Sequence, residues 1–193
     1  MEHNRVEQFD KIVKTIRDGY RALTEYWLEW SIYTAFEFWL MVLLFIASLA
    51  FVLIKIDKEK IFLIGFYGYS IHMTIGYLDM YGRNMGFWNF PFPLIPGLPG
   101  LVLDSSIVPV IFMMVYQWTL NHNKNYYLYS FLTACFFAFI FKPSMEAIGV
   151  LKLYGKANYF HLLIVYVTAF LISRFLTNLF LWLQKKYSKQ LSH

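Results

Sequence analysis

His72 and Asp79 stand seven residues apart in Ile61 to Arg83, a stretch otherwise apolar enough to cross a bilayer. Gly65, Gly68, His72, Gly76, Asp79 and Arg83 recur there at steps of three and four. On a helix that spacing gathers all six within about 80°. In hydrocarbon, glycines let another backbone approach closely, and ionisable groups must face protein or water. Gly65, Gly68 and Gly76 are therefore the expected packing positions, and this helix is the expected centre of the molecule. Asp104, Lys142, Glu146, His161 and Arg174 lie in or beside later apolar runs, and Glu37 lies in an earlier one. Histidine and carboxylate chains are the usual material of proton relays, so His72 and Asp79, completed by Glu146 or Asp104, form a candidate polar intramembrane site.

Those residue types suggest a second chemistry. His72, Asp79, Asp104, Glu146 and His161 are all of kinds that ligate zinc and other divalent ions. The sequence has no HExxH, no GxSxG and no two histidines on one helical turn, and His3 and His193 are terminal. Metal-dependent catalysis is thus the weakest reading, and no cofactor is expected. The single cysteine, Cys135, lies among Phe and Ala and reads as an apolar filler; it also precludes an intrachain disulfide.

The elements that must hold these residues follow from composition. With 59% hydrophobic and only 15% charged residues, the chain departs from the soluble average in both directions. Spans are expected over about 31–54, 61–81, 98–121, 125–151 and 158–184, giving an all-α, polytopic five-helix bundle over 30–186. The net charge of +5 comes from scattered residues such as Lys55, Lys58, Lys60, Lys185 and Lys186 at span ends, so nucleic acid is not an expected partner. A short basic tail, 187–193, follows the last span. A narrow excess of Lys and Arg near span ends puts the C-terminus in the cytoplasm, although counting the whole N-terminal helix reverses it.

Before the first span, 1–29 reads as an amphipathic helix. Val6, Phe9, Val13, Ile16, Tyr20, Leu23, Trp27 and Trp30 alternate at steps of three and four, a heptad seam. The opposite face balances acids against bases, whereas a helix lying on anionic lipid usually shows a basic one. The seam over residues 6–30 is therefore expected to pack on this bundle, on a second copy or on another membrane protein.

Four local expectations complete the reading. The run from Asn84 to Gly100 carries four prolines and cannot be a regular helix; it is expected as an ordered interfacial loop, with Phe87, Trp88, Phe90 and Phe92 at headgroup level. Either LDSS opens a helix with Asp104 or Ser105 as its N-cap, the reading favoured here, or Asp104 is a second buried acid. Lys142 and Glu146, one turn apart, are expected to pair within their helix, with a Pro143 kink near 139–142 and cross-helix partners left open. Arg174 either snorkels toward the C-terminal interface or finds an acid.

The order of these features also resembles something known. LDMY at the end of the second span, the Pro-rich aromatic loop, LDSSIVPVIFMMVYQW and a proline-interrupted fourth span are similar to a family of small five-helix membrane proteins of endospore-forming Gram-positive bacteria. The likeness covers roughly residues 40 to 183. It implies a bacterial cytoplasmic membrane and about five helices, and it carries over no activity and no functional residue. Taken together, the residues favour a non-catalytic membrane subunit, assembly factor or sensor with a buried polar core; the alternative is a small conduit through His72, Asp79 and Glu146.

Overall fold

The structure, a computed structural model, describes residues 2–188. Of the tail expected at 187–193, residues 189–193 lie outside the described residues, as does His193. Helix α1 (Glu2–Trp30) is followed by α2 (Phe36–Lys55), α3 (Ile61–Asn84), α4 (Val108–Asn121), α5 (Tyr126–Phe136), α6 (Lys142–Ala147) and α7 (Tyr159–Ser188). A wide π turn, Leu103–Ile107, leads into α4, and another, Phe137–Phe141, joins α5 to α6. Among the described residues five helical stretches are long and apolar enough to cross a membrane: α2, α3, Leu103–Asn121, Tyr126–Ala147 and most of α7. The protein is an all-α, multi-pass membrane protein.

The first span begins later than 31. Ser31 is buried and its hydroxyl donates to the Pro91 carbonyl at 2.9 Å, so residues 31–35 turn over the proline loop before α2 starts at Phe36. Glu37 consequently sits in the first turn of α2, where the helix dipole favours an acid, and takes no part in the Asp79–Arg83 and Asp104–Lys142 pairs.

Helix α3 is central, packing along both α7 and α4. Its buried face is nevertheless not the one expected. Ile64, Tyr67, Ile71, Ile75 and Gly82 are buried together with Gly68 and Asp79, a face rotated by roughly a fifth of a turn from the glycine stripe. Gly68 is a true close approach, since a Cβ there would fall 2.1 Å from Met113 Sδ. Gly65 and Gly76 are not: a Cβ at either would meet no atom within 4 Å. The close approaches missed by the stripe are Gly82 against Trp88 and Gly100 against Asp79.

Helices α3 and α6 end in the same way. Gly86 (φ 68°) donates to Arg83 O while Phe87 donates to Gly82 O; Gly149 (φ 80°) donates to Glu146 O while Val150 donates to Met145 O. This double closure needs a left-handed residue just past the helix, which glycine adopts without strain. It turns both chains into short strands, β1 (Trp88–Asn89) and β2 (Lys152–Leu153), which pair antiparallel and tie the two loops on that side together. The proline run is thus an ordered, non-helical loop. It buries Trp88 and Phe90 in the protein, while Phe87 remains exposed. At the opposite side, Asp57 Oδ2 accepts from Asn121 Nδ2 at 3.2 Å, and that bond holds the Asp57 carboxyl below the usual range.

Of the surfaces expected to receive the α1 seam, this bundle takes little of it. The seam is exposed along nearly all its length, with Phe9 at 64%, and only Trp27 is half-buried. Trp27 Nε1 donates to Pro93 O at 2.8 Å. The bundle therefore meets the last turns of α1 and leaves the earlier seam positions without a partner in this chain.

Candidate functional site: a buried ionic layer

Asp104 does not cap a helix. It lies inside the first π turn, buried, and accepts from Lys142 Nζ at 2.7 Å and from Tyr166 OH at 3.1 Å. Lys142 has 0% exposure, and its Nζ lies 5.1 Å from the Phe90 ring centre. The expected Lys142–Glu146 pair does not form; Glu146 turns the other way, accepting from Leu153 N at 3.3 Å and from the Tyr159 hydroxyl. Glu146 thereby anchors the β2 hairpin to the start of α7 and lies apart from the ionic layer.

The π turns explain the change of partner. Each ends two residues before a proline, Pro109 in one and Pro143 in the other. A proline ring clashes with the carbonyl four residues back, and a wide turn relieves that clash. In the second π turn Lys142 N reaches back five residues to Phe137 O, and the inserted residue re-aims Lys142 toward Asp104. The kink expected near 139–142 takes this form.

Proline also creates a use for His72. Pro109 has no N–H, so the Ser105 carbonyl loses its helical donor. His72 Nδ1 lies 2.7 Å from that oxygen. A carbonyl only accepts, so the proton of neutral His72 belongs on Nδ1. His72→Leu should leave a partly buried carbonyl unpaired and cost about 1 kcal/mol, measured as a lowered unfolding midpoint in detergent; an unchanged midpoint would remove this structural role.

Asp79 occupies the same layer. Its Oδ1 accepts from Trp88 Nε1 at 2.8 Å and its Oδ2 from Arg83 Nε at 2.9 Å. Gly100 lets the loop pass over it, since a Cβ there would lie 2.5 Å from Oδ2, and the Gly100 carbonyl accepts from Asp104 N at 3.0 Å. Two ion pairs, Arg83–Asp79 and Lys142–Asp104, thus meet at Gly100. The two partners missed in the sequence, Trp88 and Tyr166, supply the remaining hydrogen bonds. Tyr166 had no usable signal there, because one tyrosine among many on an apolar helix has no distinguishing spacing.

The other candidates are dispersed. His161 is exposed, with Nδ1 at 2.9 Å from Asn158 Oδ1 at the start of α7. Arg174 is two turns further along α7 than Tyr166, about 12 Å away. It neither snorkels nor meets an acid: its Nη1 donates to Tyr116 OH at 3.0 Å, and its guanidinium lies over the Tyr116 and Tyr126 rings at 5.3 and 5.0 Å. Tyr126 OH donates to Phe170 O at 3.0 Å, so Tyr67, 2.8 Å away, must donate to Tyr126. Cation–π attraction strengthens when desolvated, which lets Arg174 reside here with tyrosines for company. Among the described residues no three His, Cys, Asp or Glu side chains converge as a metal site.

No protein-family model matches the chain, and no curated protein or solved structure matches it either. The reading of this site therefore rests on its geometry.

Proposed function

We propose that the protein is a non-catalytic subunit, assembly factor or sensor of a bacterial cell membrane, with its C-terminus in the cytoplasm. The observation that supports this best is the sealing of Lys142 on Asp104, with every hydrogen-bonding oxygen of Asp104 engaged. A charge that must load and release an ion needs a route to water, and Lys142 has none of its surface exposed. A conduit through His72, Asp79 and Glu146 draws less support, because Glu146 is committed to the hairpin and His72 to a backbone carbonyl. Buried pairs of this kind suit a scaffold whose task is to present a surface.

The surface presented is the α1 seam. Val6 and Val13 occupy heptad position a and Phe9 and Ile16 position d, with Arg5 and Asp10 at flanking positions that face each other across a parallel pair of copies. A second copy of this chain is accordingly the partner proposed for residues 6–30. Reconstituted protein should pass no more protons than empty vesicles under an imposed pH gradient, and Asp79→Asn should not alter that. Removing residues 1–28 should reduce the oligomeric mass in detergent. An Asp79-dependent proton flux would overturn the scaffold reading, and an unchanged mass would overturn the seam as its interface.

A further inference from the structure

The last turns of α1 roof a cleft over the proline loop. Two adjoining cavities, of about 300 and 640 Å³, share Leu23, Asn89, Pro96 and Pro99 as common walls. One ends at Lys152 and Tyr154, the other at Arg83 and Asn84. Their walls are otherwise proline, aromatic and aliphatic, and among the described residues no carboxylate lines either cavity. The two cations are also held in place. Arg83, which lines the larger cavity, is fixed by its Nε bond to Asp79; Lys152 Nζ lies 5.4 Å above the Tyr154 ring. Asn89 spends its Oδ1 on the Phe90 N–H at 2.9 Å, so its amide donors remain for a ligand.

An apolar trough bordered by Arg83, Lys152 and the Asn89 amide matches an anionic head attached to a hydrocarbon tail. The cleft also lies beside the ends of α3 and of the Tyr126–Ala147 span. We propose that it is a binding site for one anionic phospholipid, with the phosphate held by Arg83 and Lys152 and an acyl chain lying along Leu23 and the prolines. Guanidinium and ammonium donors bind phosphate through charge-assisted hydrogen bonds, stronger than those to neutral groups. This inference goes beyond the scaffold reading and does not depend on it.

The test uses the full chain purified in dodecyl maltoside, with phosphatidylglycerol, phosphatidylcholine or inorganic phosphate added. Native mass spectrometry counts bound lipid, and the unfolding midpoint reports stabilisation. One phosphatidylglycerol should bind saturably and in preference to phosphatidylcholine. Lys152→Gln should weaken it about fivefold while leaving the lipid-free midpoint unchanged, because one surface cation is removed. Pro96→Trp, in the loop wall shared by both cavities, should block binding by filling the trough. Equal retention of the two lipids, equal stabilisation by inorganic phosphate, or undiminished binding in both variants would each overturn the proposal. The proton-flux result bears on none of these outcomes.

Discussion

Lys142→Met is expected to be the most damaging single substitution in the bundle, costing about 3–5 kcal/mol. It strips the nearest cation from Asp104, a carboxylate buried between helices with only Tyr166 left to donate to it. Removing one member of a buried pair is far worse than removing both. The double variant Lys142→Met, Asp104→Leu should therefore recover most of the loss, and replacing such pairs by apolar groups has ranged from neutral to stabilising. Unfolding midpoints in a detergent titration measure both variants. A single variant as stable as the wild type would mean that the pair is solvated, and a double variant as weak as the single would mean that the pair has no separable energy. The comparison also bears on function, since a scaffold with a rescued fold should retain its oligomeric mass.

Gly82→Leu is expected to be the second most disruptive change, at about 1–3 kcal/mol or more. Its Cβ would fall 2.1 Å from Cζ2 and 2.2 Å from Cη2 of Trp88, a rigid indole that cannot swing clear without leaving Asp79. Gly68→Leu should cost less, because the obstructing atoms belong to the flexible Met113 side chain. Gly76→Leu should stay within about 0.5 kcal/mol, since its Cβ enters open space. Melting temperatures of the three variants rank them directly. If Gly76→Leu proved the worst, the small-residue stripe would be the buried face after all.

That ranking shows where sequence reasoning succeeded and where it stopped. Span number and the central place of α3 were legible, because length and hydropathy constrain any helix in hydrocarbon and because ionisable residues cannot face lipid. The phase of α3 was not. A glycine stripe signals that close approach is permitted, whereas the helices pack where Tyr67, Ile71 and Ile75 fill volume. The pairing of Asp104 with Lys142 was equally out of reach, since 38 residues separate them and Glu146 offered a nearer partner at helical spacing. Only the prolines hinted otherwise. Pro109 and Pro143 each mark a place where simple periodicity fails, so faces counted across them are unreliable. The seam of α1 was legible as a pattern but not as a contact, because a heptad specifies a partner surface without saying which chain carries it.

The paired wide turns have one more implication, concerning how substitutions spread through the molecule. The second, Phe137–Phe141, inserts one residue inside its span, between the end bearing Tyr126 and the end bearing Lys142. Deleting one residue from Phe137–Phe141 would restore continuous α geometry, and the wide turn is where that change of length is taken up. A shift that an ordinary span would carry evenly along its length is here absorbed at one level. That span consequently has two ends whose faces are set separately, while α3 and α7 run unbroken past both.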